Sequence, residues 1–255
     1  MLKTVYIFPF VKTPRDFLVD CLLARGCRAI RSSERNLNRL AIRLQRGELG
    51  LEEGEFHGHV VEEHRAVRLL AGAGGEVAKL RAGRGGERVD LGIELEFPKI
   101  VIDYGLWDYH TREERKLLLK QSSLALQVVR DHLWDRNLVL ASCPDRVAEH
   151  FRSLGFFGDI LPGRYEGKAV LLDPHATEEL RSFGEGVYIL GGIVDKSNRM
   201  RTQELGYELP RVSLKLHGRS SGVPDRLNLL VEIMCRNLEG VSLRDAIRGV
   251  KNYKN

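Results

Sequence analysis

"KIVIDYGLWDYHTREERKLLLKQSSLALQVVRDHL", residues 99–133, passes from a short apolar run ending in an acid to a long helical pattern. Residues 99–105 read as a strand without polar alternation, the mark of a strand covered on both faces. Thr111 followed by Glu114 is a capping box, so a helix is expected over 111–133. The same rhythm repeats downstream. "NLVLAS" (137–142), "AVLLDP" (169–174) and "GVYILGG" (186–192) read as buried strands. "PDRVAEHFRSLG" (144–155), "ATEELRSFG" (176–184) and "PDRLNLLVEIMCRNLEG" (224–240) read as helices, with a short basic helix ahead of a strand at "RVSLKL" (211–216). Apolar strands alternating with helices predict an α/β protein built on a parallel sheet.

Upstream the pattern is different. "TVYIFPFV" (4–11) reads as a strand, and "PRDFLVDCLLARG" (14–26) as a helix that opens on proline and closes at Gly26. "SSERNLNRLAIRLQRGELG" (32–50) reads as a second, serine-capped helix with Leu37, Leu40, Ala41 and Leu44 on one face. Arg31, Arg35, Arg39 and Arg43 recur every four residues and predict a basic stripe on that helix. Such a stripe is either a solvated face or a set of unpaired forks suited to phosphate oxygens. "AGAGGEV" (71–77) and "RAGRGGERVD" (81–90) are glycine-rich and predict a linker near 80–90. The expected layout is a small α/β domain over 1–85, assigned to RNA binding, and a second domain over 90–255.

With 43% hydrophobic and 29% charged residues, the 255-residue chain reads as a soluble globular protein. No apolar run approaches the ~20 residues of a membrane helix, and "MLKTVYIFPF" lacks the end of a signal peptide. Cys21, Cys27, Cys143 and Cys235 form no CxxC pair, which fits buried thiols in a reducing, cytoplasmic compartment. A formal charge of +5 leans mildly toward a polyanionic partner. There is no GxGxxG and no GxxxxGK[ST], so neither a dinucleotide fold nor a P-loop is supported. His57, His59 and His64 in "FHGHVVEEH" lack a matching cysteine or carboxylate set, and no metal is expected.

Two acids follow strand ends, Asp103 in "VIDYG" and Asp195 in "GGIVD". Ligands of open α/β sheets collect outside the carboxyl ends of strands, where an acid either binds or shuttles protons, or merely forms a turn. Gly191 and Gly192 would let backbone approach a ligand. Lys196, Arg199 and Arg201 would draw in an anion.

"YILGGIVD" resembles the signature of the tRNA position-9 N1-purine methyltransferases, a branch of the SPOUT superfamily. "VIDYGLWDYHTREERKLLLKQ" (101–121) and "LKLHGR" (214–219) are similar to two further segments of that family, in the same order, over about residues 98–240. The resemblance implies a parallel α/β sheet with a C-terminal trefoil knot. It also implies S-adenosyl-L-methionine as cofactor, held around Leu172, Leu190, Gly191, Gly192, Lys196, Ser197, Asn198, Arg199, Met200, Leu214, Ser221, Gly222 and Val223. By the same resemblance Asp195 is the general base, with Asp103 and Gln121 supporting it. The substrate implied is tRNA, with guanine or adenine methylated at N1 by a monomer; from their charge and spacing, Arg31, Arg35, Arg39, Arg43, Arg201 and Arg219 are expected to touch its phosphates. Two alternatives stand beside this: a SPOUT methyltransferase acting at another RNA position, and a non-catalytic RNA-binding protein.

Overall fold

The computed structural model describes residues 11–194, 202–216, 218 and 222–251. The expected strand at 4–11, apart from Val11, lies outside them. The chain divides into two compact units, one formed by Lys12–Leu95 with Arg130–Trp134 and the other by the rest.

In the first unit, helix α1 (Pro14–Ala24) opens where Thr13 donates to Asp16 through both its N–H and its Oγ, at 2.8 and 2.7 Å. Helix α2 (Leu37–Gln45) is capped by Asn36, whose side chain accepts from Arg39 N at 2.9 Å; the expected serine cap lies too far upstream. Strands β1 (Ala29–Arg31), β2 (Gly50–His64) and β3 (Val67–Gly83) form a sheet in the order β1-β3-β2. Leu18, Leu22, Ile30, Leu40, Leu44 and Leu70 are fully buried in this unit.

The glycine-rich stretch 71–77, expected to pack poorly, is instead part of β3. Register jumps there from Gly58↔Glu76 to His59↔Ala71, a long irregular bulge that leaves residues 72–75 of β3 unpaired in the antiparallel ladder. A Cβ on Gly74 would lie 2.2 Å from the carbonyl oxygen of Gly58, so the glycines let two backbones touch. The stretch without regular structure runs later, over 88–98.

The second unit is a six-stranded, wholly parallel sheet: β4 (Lys99–Asp103), β5 (Leu138–Ala141), β6 (Asp159–Ile160), β7 (Val170–Leu172), β8 (Val187–Gly191) and β9 (Arg211–Val212), in the order β6-β5-β4-β8-β7-β9. Alternate residues face opposite ways. Val101, Val139, Leu171, Val187 and Ile189 pack with Leu106 and Leu205 in one cluster, while Ile100, Ile102, Leu138 and Leu140 are buried as well. Burial on both faces is why these strands are uninterrupted apolar runs. Helices α3 (Arg112–His132, in this unit as far as Val129), α4 (Asp145–Ser153), α5 (Leu227–Leu238) and α6 (Leu243–Lys251) complete the unit. The expected capping box of α3 forms, with Glu114 Oε2 accepting from Thr111 N at 2.8 Å.

One expected helix is absent. "ATEELRSFG" is irregular, tied to the chain after β9 by a single bridge at Glu179, where Ser213 N donates to Glu178 O at 2.8 Å and Leu180 N to Ser213 O at 3.0 Å. Of the short basic helix, residues 195–201 lie outside the described residues, and Thr202–Leu205 is a single 3-10 turn. Among the described residues no helix is long and apolar enough to cross a membrane.

Candidate active site

All six strands of the second unit point the same way, so their carboxyl ends share one edge. A cavity of about 640 Å³ opens there. Strand ends supply Leu172, Asp173, Leu190, Gly191, Val212 and Leu214, and α3 supplies Leu117 and Gln121. The entry to α5 supplies Val223 to Leu227. The volume, and a wall in which apolar side chains alternate with polar ones such as Gln121, Asp173, His175 and Thr202, suit a small-molecule cofactor.

Gln121 is buried, and its Oε1 accepts from Leu227 N at 3.0 Å. It thereby satisfies one of the orphan N–H groups that open α5. Its Nε2 has no bond among the described residues, so the amide keeps its donors on a side chain that lines the cavity.

Asp103 is 1% exposed and does not line the cavity. Its Oδ1 accepts from Gly105 N at 2.7 Å, and its Oδ2 from Ser142 Oγ at 3.3 Å and from the Tyr207 hydroxyl. Its carbonyl accepts from Gly192 N at 2.7 Å. The acid therefore ties the ends of β4, β5 and β8 to the segment around Tyr207. Burial, then the neighbouring Asp103 carboxylate, pushes the Tyr207 phenol above its ordinary range.

Gly192 sits against the same acid. A Cβ at Gly192 would lie 2.7 Å from the Asp103 carbonyl oxygen. A side chain there would meet the end of the neighbouring strand β4, and Gly192 itself does not line the cavity. Gly191 is the member of the pair that lines the cavity.

His110, 4% exposed, sits beneath the chain that leaves β8. Its Nε2 is 3.0 Å from Val194 N and its Nδ1 is 2.9 Å from Leu106 O. A backbone N–H can only donate, so Nε2 is the acceptor and Nδ1 carries the proton. The histidine is neutral in this arrangement and fixes the residue just before Asp195.

Of the residues expected from sequence, Leu172, Leu190, Gly191, Leu214, Val223 and Gln121 meet at the cavity, and Gly222 is next to Val223. Asp195, Lys196, Ser197, Asn198, Arg199, Met200, Arg201, Arg219 and Ser221 lie outside the described residues. The arginine stripe does not exist as one helical face. Arg31 belongs to β1, and its guanidinium donates to the carbonyls of His57, Ser32 and Gly72. Arg35 precedes α2 and is exposed. Arg39 pairs with Asp131, and Arg43 with Glu34 and Glu48, so these two are not the unpaired forks expected. His59 Nδ1 bonds Ala73 O and His64 Nε2 bonds Asp16 Oδ1; no metal-binding group of three is present among the described residues. Cys143 and Cys235 are buried as expected, whereas Cys21 and Cys27 are only half-buried.

Asp173, His110 and Tyr207 escaped the sequence reading. Asp173 carried a usable signal, since "VLLDP" ends a strand in an acid just as "VIDYG" does.

No protein-family model matches the chain. A tRNA (adenine(9)-N1)-methyltransferase of Sulfolobus acidocaldarius is 34% identical over 226 residues, spanning 83% of this chain and 74% of that protein. A tRNA (guanine(9)-/adenine(9)-N1)-methyltransferase of Thermococcus kodakarensis is 28% identical over 172 residues, 60% of this chain and 46% of that one. The crystal structure of Sulfolobus acidocaldarius Trm10 in complex with S-adenosylhomocysteine matches with a TM-score of 0.72 at 28% identity, over 94% of this chain and 83% of that chain.

Proposed function

The chain belongs to the tRNA position-9 N1-methyltransferase family, and from that premise we propose that it is an S-adenosyl-L-methionine-dependent enzyme methylating N1 of the purine at position 9 of tRNA. The observation that carries the assignment to this unit is the cavity at the carboxyl edge of the parallel sheet, between β7, β8, β9 and the start of α5. Leu172, Leu190, Gly191, Leu214 and Val223 hold the cofactor, together with Gly222 and Lys196 to Met200. When bound, S-adenosyl-L-methionine supplies an electrophilic methyl group.

The protein's residues handle the base. In neutral guanine N1 carries a proton and its lone pair is not free. Asp195, which follows the anchored Val194, takes that proton as the base. Adenine presents an unprotonated N1, and there Asp195 only orients the base or accepts from the exocyclic amine. Gln121 holds the entrance of α5 with its oxygen and offers its amide donors to the pocket. Asp103 acts at one remove, by fixing Gly192 and Tyr207. The target nucleotide turns out of the tRNA stack to reach this site.

The finer parts of the proposal are a trefoil knot threading the C-terminal segment, an RNA-binding role for residues 1–85, Arg201 and Arg219 on the RNA phosphates, and a monomeric enzyme working in the cytoplasm. Methylation of tRNA transcripts carrying guanine, adenine or a pyrimidine at position 9, read by nucleoside mass spectrometry, tests the reading. N1-methylpurine is expected from one or both purine transcripts. Methylation independent of the ninth nucleotide overturns it.

A further inference from the structure

Asp173 caps β7 at the cavity wall and is 1% exposed. Its backbone is committed, with N donating to Val212 O at 2.9 Å and O accepting from Ala176 N at 3.0 Å. Its Oδ1 accepts from His175 N at 2.9 Å. Its Oδ2 is buried and accepts no hydrogen bond among the described residues; Arg211 Nη1 stands 3.6 Å away, near enough to balance charge and too far to bond. A buried carboxylate oxygen without a donor is costly, and native structures leave such an oxygen open where something else fills it.

The kind of donor follows from what is already present. Arg211 supplies the countercharge, so the oxygen lacks a proton donor and not a cation. A second cation would meet the guanidinium, whereas a neutral hydroxyl completes the carboxylate without disturbing the pair. The wall beside it is apolar, with Leu172 and Leu190, as suits the body of a nucleoside. We propose that Asp173 is a cofactor-binding residue whose Oδ2 accepts a hydrogen bond from a ribose hydroxyl of S-adenosyl-L-methionine. The inference rests on the methyltransferase reading and adds to it a residue that reads the cofactor's sugar.

Calorimetry with S-adenosylhomocysteine and with its 2′,3′-dideoxy analogue tests this without any turnover. The unaltered protein should bind the analogue about tenfold to a hundredfold more weakly, the loss of a hydrogen bond to a charged group. Asp173→Asn, which keeps the Oδ1 acceptor for His175 N, should bind S-adenosylhomocysteine weaker by a similar factor and then discriminate little between the two ligands. Equal binding of both ligands by the unaltered protein overturns the proposal, whether or not the variant folds. So does an Asp173→Asn protein that discriminates as strongly as the parent, since the hydroxyls would then be held elsewhere. If the unaltered protein binds neither ligand, the cofactor reading itself fails; if it binds both and only the discrimination is missing, the sugar contact alone fails.

Discussion

The ring of His110 holds the backbone of Val194, with Nε2 accepting from its N–H at 3.0 Å, although 84 residues separate them. Replacing His110 with Ala leaves that amide without its buried acceptor, at a cost of about 1–3 kcal/mol. We expect the methyl-transfer rate in single turnover to fall more than cofactor affinity does, because Val194 directly precedes Asp195, the proposed base. An unchanged rate would show that Asp195 is placed by other contacts.

Gln121 allows its two ends to be tested separately. Gln121→Ala removes the acceptor for Leu227 N and should lower unfolding stability by about 1 kcal/mol, the loss of a helix cap. Gln121→Glu retains an acceptor, and its negative charge suits a helix N-terminus. Denaturant unfolding should therefore place the Glu variant close to the parent. If the amide donors serve the purine, both variants lose methylation; activity retained in Gln121→Glu would reduce Gln121 to a cap.

Gly192→Ala drives a methyl group against the Asp103 carbonyl at 2.7 Å. Overpacking of this kind costs roughly 1–3 kcal/mol. Gly75→Ala, with nothing within 4 Å of the added atom, is the control. A lower melting temperature for the first variant alone is expected, and equal behaviour would mean that the β8 exit yields easily.

Alkaline stability should follow the buried phenols. Burial raises Tyr104, Tyr188 and Tyr207 above their usual range, with the Asp103 carboxylate adding to the effect at Tyr207. An unfolded tyrosine ionises near pH 10, while these remain neutral in the fold. Their contribution is thus complete below about pH 10 and is lost as pH rises above it. Tyr207→Phe should soften that decline in a pH series of urea midpoints. At neutral pH it should be less stable by about 1–3 kcal/mol, since Asp103 loses a donor.

Asp195→Asn connects mechanism to substrate. With guanine at position 9 the single-turnover rate should fall roughly a hundredfold or more, and the loss should shrink as pH rises and N1 ionises unaided. With adenine no proton leaves N1, so the loss should be small and insensitive to pH. Small, equal losses on both tRNAs would leave Asp195 an orienting residue.

The elements legible in the sequence were those whose signal is local. The Thr111–Glu114 box and the apolar runs of β4, β5, β7 and β8 needed no partner to be read. Ser242 with Asp245 was an equally local start for α6, their side chains 2.6 Å apart, and was passed over. The failures were decided at a distance. "ATEELRSFG" has helical spacing, but pairing with Ser213 overrides it. The four-residue recurrence of arginines imitates a helix face, yet Arg31 is claimed by a strand that pairs with β3. For the site, Gln121 was found by resemblance, while Gly191 and Gly192 were already marked by their place after a strand. Asp103 was found by position, although its partner Tyr207, 104 residues away, was not.

The sheet order β6-β5-β4-β8-β7-β9 also sets a timetable. The central pair joins Val101 to Ile189, and the cavity wall needs Val212 and Leu230 as well. On the ribosome β4 and β5 can pair early, but β4 waits for its other neighbour until residue 191 has emerged. Such distant pairings are slow to form. Until β9 arrives, β7 presents an unpaired edge, a template for mispairing with other chains. A chain cut after Tyr207 would keep Asp103, Gln121 and Gly191 yet lack a wall of the cavity. In this molecule the pocket closes only once Leu230 has emerged, and a cofactor that fills it would reward chains that have grown past that point.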